Sequence, residues 1–133
     1  SSTKRKRSEA NEVALESIAT AFARVRPLAE SLDVRLSFHP DQFVVLNSER
    51  EETVRSAVRE LEHTAAISAV LGVDNMTVHG GSLAGGADAA LDRLRRGLDR
   101  LSDDARGRLV LENDDRLFTP AALLPLCRET GLP

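Results

Sequence analysis

At 133 residues and 41% hydrophobic content the chain can bury one core and is too short for two. Its formal charge of -3 excludes a protein that grips nucleic acid by bulk positive charge, and its single cysteine, Cys127, excludes an intrachain disulfide or a cysteine-built zinc site. No apolar run reaches membrane-spanning length, and no signal-peptide pattern opens the chain. An intracellular, reducing compartment is therefore expected: cytoplasmic in a prokaryote, nuclear in a eukaryote.

In chain order, residues 1–10 form a basic tail whose opening SSTKRKR holds both lysines of the chain, and residues 11–133 form the domain. Leu15, Ile18, Phe22, Val25, Ala29 and Leu32 make one apolar stripe at spacings of three and four, which predicts a helix over 11–32 with a kink or break at Pro27. Val34 to His39 alternates apolar and polar residues and predicts a strand that Pro40 ends. An apolar patch, Phe43–Leu46, sits in the connection that follows, and core packing is one reading of Phe43. Ser48 and Glu51 match a capping box that opens a helix to about Leu71, closed by Gly72. Asn75–His79 predicts a second strand. Leu91, Leu94, Leu98 and Leu101 mark a helix, with Arg93, Arg95, Arg96 and Arg100 on its solvated face. Gly107 separates that helix from a third strand, 108–112, and Thr119–Pro120 starts a last helix that Gly131 ends.

The alternation α-βα-βα-βα predicts an α/β fold with parallel strands. The step is 40 residues from His39 to His79 and 33 from His79 to Glu112. A complete eight-unit barrel averages about 31 residues per unit. The expected fold is a partial (β/α)8 TIM barrel with about three units present.

The chemical signal is positional. His39, His79 and Glu112 each end a predicted strand at its C-terminal edge, where parallel α/β folds gather their ligands. Alternation aims all three away from the apolar set Val34, Leu36, Phe38, Met76, Val78, Leu109 and Leu111. Two imidazoles and a carboxylate suit Zn²⁺, Mn²⁺ or Fe²⁺. Each residue taken singly also fits a structural role, Glu112 for instance as a partner of Arg116.

Three blocks, Ser37-Phe38-His39-Pro40-Asp41-Gln42-Phe43, His79-Gly80-Gly81 and Leu109-Val110-Leu111-Glu112-Asn113-Asp114-Asp115, resemble the UV damage endonuclease family. That family sits among the endonuclease IV-like and xylose isomerase-like barrels. The resemblance implies a (β/α)8 fold, a divalent metal cluster, usually manganese, at its C-terminal face, and incision of DNA immediately 5′ to ultraviolet photoproducts and some other lesions. It implies that His39, His79 and Glu112 are catalytic metal ligands, Glu112 bridging two ions, and that Gln42 and Phe43 probe the lesion. Asn113 and Asp114 would then orient the ligands or shape the next turn. The implied partner is damaged double-stranded DNA. Zn²⁺ and Mg²⁺ are alternative ions.

Two departures stand out. Asp41 occupies a place where the family often has glycine, and the chain covers about half of a barrel, so the other half is expected from flanking sequence. Two competing functions follow: a non-catalytic truncated remnant that binds DNA or a partner, and a sugar-isomerase-like barrel, which the His39–Phe43 segment disfavours. His63 reads as an exposed mid-helix residue and Cys127 as a small core residue.

Overall fold

The computed structural model describes Glu12 and residues 16–132. The basic tail, Leu15 and Pro133 lie outside the described residues. Residues 16–22 are helical, and a turn at 23–24 leads into α1, Val25–Ser31. The break thus precedes Pro27 by three residues. Proline tolerates the first turn of a helix because its missing N–H would go unbonded there, so Pro27 sits inside α1 and the chain bends upstream of it.

Next come β1 (Ser37–Phe38), α2 (Glu51–Leu71), β2 (Asn75–His79), α3 (Ala87–Leu98), α4 (Asp103–Gly107), β3 (Leu109–Glu112) and α5 (Pro120–Thr130). The strands form one parallel sheet in the order β1-β2-β3. Ser37 pairs with Asn75, and His79 pairs with Glu112.

Several local expectations need correction. The first strand is two residues long, not six; Val34 is exposed and outside the ladder. Among the described residues β1 is paired on one side, through Ser37 with Asn75 and Phe38 with Met76, and Pro40 follows two residues later. The capping box does not form. Arg50 is the N-cap of α2 without a side-chain bond, Ser48 Oγ accepts from the Arg50 amide, and Glu51 instead takes two bonds from Arg100, at 3.0 and 2.9 Å. That guanidinium holds the Glu51 carboxyl below its usual range. Gly107 is the last residue of α4, a short helix the apolar pattern does not announce, capped by Ser102.

Other signals hold. Gly72 closes α2 in the left-handed conformation at φ 70°, and Thr119 caps α5 with Pro120 at its start and Gly131 beyond its end. Strand burial alternates. Met76, Val78, Leu109 and Leu111 are buried, while Thr77, His79, Val110 and Glu112 on the other face are half-buried. The buried set packs with Leu61 and Ala65 of α2, Leu94 and Leu98 of α3, Ala105 of α4, and Phe118, Leu123 and Leu126 at α5. Cys127 packs against this core, and burial raises its thiol pKa. His63 is exposed. The helices cover one face of the sheet, so the polar strand ends occupy the other.

Candidate metal centre

The C-terminal edge of the sheet builds the site. His39 follows β1 by one residue, His79 ends β2 and Glu112 ends β3. Their ligand atoms all lie within 4.8 Å of one another. Glu112 Oε2 stands 2.9 Å from His39 Nε2 and 3.4 Å from His79 Nδ1. The imidazoles meet edge-on, with ring centroids 5.1 Å apart. All three side chains are about half exposed.

This donor set fits a divalent ion. Two bonds of about 2.1 Å to one ion hold their donor atoms roughly 3 Å apart, which is the spacing of these nitrogens and this oxygen. His39 also carries an orienting contact: its Nδ1 donates to the Pro40 carbonyl at 3.1 Å. That bond selects the tautomer whose Nε2 lone pair faces the site. In the charged imidazole Nε2 also carries a proton and donates to Glu112 Oε2 at 2.9 Å. Glu112 first and the Pro40 carbonyl second therefore raise the His39 pKa above its ordinary value.

Gln42 and Phe43 lie in a turn just past His39. The Phe43 amide donates to Asp41 Oδ1 at 2.9 Å, and the Val44 amide to the Asp41 carbonyl. Asp41 thus turns a carboxylate oxygen to its own backbone. Phe43 is 78% exposed within this span, while Val44 and Leu46 carry the apolar burial of the segment. Gln42 lines an open cleft of about 470 Å³ together with Val45, residues 79–82 and residues 112–114. Asn113 faces the same cleft. Asp114 Oδ1 accepts from the amides of Arg116, Leu117 and Phe118, and these bonds hold its carboxyl below its usual range, so it shapes the turn into α5.

One group at this edge escaped the sequence reading. Asn47 is fully buried and bonds the loop after β2, and Arg93, expected on a solvated face, donates to two backbone carbonyls instead. The available signal was a lone amide closing the apolar run Phe43–Leu46.

Parallel βα units with two histidines and a glutamate at the carboxyl edge mark a partial barrel with a candidate metal-binding triad. Residues 7–133 match the family described as UV-endonuclease UvdE, and the chain belongs to that family. It is 40% identical over 119 residues to the UV-damage endonuclease of Neurospora crassa, covering 84% of this chain and 18% of that protein. It is 44% identical over 105 residues to the UV DNA damage endonuclease of Deinococcus radiodurans, covering 75% of this chain and 33% of that one. The crystal structure of SacUVDE, a TIM barrel, superposes with a TM-score of 0.83 at 32% identity, over 90% of this chain and 42% of that chain. The chain therefore spans a minority of the length of each of these relatives, as expected of a partial barrel.

Proposed function

We propose that this chain carries part of the active site of a DNA-repair endonuclease that nicks the backbone 5′ to ultraviolet photoproducts and other lesions. His39, His79 and Glu112 would hold a divalent ion, Mn²⁺ first, with Zn²⁺ and Mg²⁺ as alternatives. The convergence of their ligand atoms within 4.8 Å carries the reading. Family membership and the names of the relatives support the DNA substrate.

When bound, a divalent ion supplies positive charge against the scissile phosphate and acidifies water. The chain's own groups prepare that site. Pro40 orients His39 through its carbonyl, and Glu112 offers a carboxylate to both histidines. Phe43, projecting beside the cleft, is a hydrophobic wedge for a damaged step, which stacks poorly and opens at lower cost than intact duplex. Gln42 brings an amide to the cleft, able to bond bases left without partners. A sugar isomerase would need an enclosed pocket, and an exposed phenylalanine beside an open cleft does not provide one.

The test uses the intact protein. Glu112→Ala should lower incision by about 100-fold or more while lesion binding persists. Gln42→Ala with Phe43→Ala should weaken discrimination of damaged from intact duplex and leave divalent-metal affinity unchanged. Loss of lesion binding, incision and melting temperature together in the second variant would refute the probe role. Lesion binding without nicking in the unaltered protein, with metal supplied, would favour the non-catalytic reading.

A further inference from the structure

Phe43 is an exposed aromatic on a short turn, and an unsupported turn would swing it freely. The chain immediately behind it is pinned. Asn47, at 0% exposure, donates from Nδ2 to the Ser82 carbonyl at 2.8 Å and accepts the Ser82 amide on Oδ1 at 2.9 Å. This is the two-bond pairing of a strand neighbour, made by a side chain. From the other side Arg93 donates Nε to the Asn47 carbonyl at 2.7 Å and Nη2 to the Ala84 carbonyl at 2.6 Å. One guanidinium thereby ties the loop after β1 to the loop after β2.

Two glycines make room for this arrangement. A Cβ on Gly81, whose φ is +95°, would overlap Asn47 Oδ1, and a Cβ on Gly97 would overlap the Leu46 carbonyl. A buried amide that satisfies both its donor and its acceptor within one neighbouring loop is costly to displace, because each broken bond leaves a desolvated polar atom.

We propose that Asn47 and Arg93 are positioning residues for lesion recognition: they lock the Gln42–Phe43 turn at a fixed height over the cleft edge formed by residues 79–82. This rests on the probe reading of Gln42 and Phe43. A rigid wedge meets the damaged step with little ordering cost, whereas a loose one loses selectivity as it loses position.

The experiment compares Asn47→Ala, Arg93→Ala and Arg93→Lys in the intact protein. It measures the damaged-to-intact binding ratio, Mn²⁺ affinity and amide hydrogen exchange over residues 41–47. Asn47→Ala and Arg93→Ala should speed exchange in that segment and lower the ratio by about tenfold, with Mn²⁺ affinity unchanged. Arg93→Lys, which keeps a donor, should restore part of both. In a Gln42→Ala/Phe43→Ala background the Asn47→Ala change should lower the ratio no further, since the group it positions is gone. A full additional loss in that background would overturn the proposal, as would unchanged exchange at 41–47. Arg93→Ala keeps the test decisive if the Asn47 variant fails to fold. If Gln42→Ala/Phe43→Ala leaves the ratio intact, the probe reading fails by itself. Exchange then judges the clamp: faster exchange supports the lock, and unchanged exchange refutes it.

Discussion

At the scale of single residues, His39 links the site to pH. Its bonds to Glu112 and to the Pro40 carbonyl raise its pKa above the ordinary 6.5. A raised value means that the pairing stabilises the fold fully below the unfolded pKa and is lost as pH rises through the folded one. In chelator, His39→Ala should therefore lower the melting temperature more at about pH 5.5 than at about pH 8.5. The same proton competes with metal, so Mn²⁺ affinity should climb as pH passes upward through that window, with proton release detectable by calorimetry. Equal affinity on both sides of the window would remove His39 from the ligand set.

At the scale of elements, the connections after β2 and β3 carry the geometry. Gly80 backs onto the ring of Phe118, which is buried at the end of the Asp114 turn, and a Cβ there would overlap that ring. Gly80→Ala should destabilise by about 1–3 kcal/mol, because a buried ring cannot yield as a flexible surface chain can. It should also displace His79, its neighbour, so metal affinity should fall with the melting temperature. Thr119→Ala removes the oxygen that accepts the Ala122 amide at the start of α5. Loss of that cap should cost about 1 kcal/mol in denaturant unfolding. Because α5 carries no proposed ligand, Mn²⁺ affinity in that variant should stay at the unaltered level.

At the scale of the molecule, helices cover one face of a three-stranded sheet, and β1 and β3 each pair on one side among the described residues. Phe22, Leu28, Leu32 and Val34 are all exposed, and α1 buries none of its residues. The stripe that predicts an amphipathic helix is present, yet among the described residues it contributes nothing to the buried core. Open edges and apolar surface favour association. The 133-residue chain alone should sediment as a concentration-dependent mixture, and Leu28→Glu with Leu32→Glu should shift it toward monomer. A sharp, concentration-independent monomeric melt would count against this.

Periodicity and punctuation settled much of the architecture. Alternation in β2 and β3, the apolar faces of α2 and α3, Gly72 and Thr119–Pro120 were readable because each depends on a few neighbouring residues. The convergence of His39, His79 and Glu112 was readable too, since parallel strands bring their carboxyl ends to one edge. Helix starts and strand lengths were not, because they depend on distant partners: Glu51 abandons its cap for Arg100, and only Ser37 and Phe38 of the alternating run pair with β2. Nor could sequence show that Phe43 projects while Val44 and Leu46 are buried, or that Arg93 turns inward to two carbonyls. Those outcomes depend on which loops the sheet sets side by side. A buried amide or guanidinium takes whichever carbonyl the fold brings within about 3 Å.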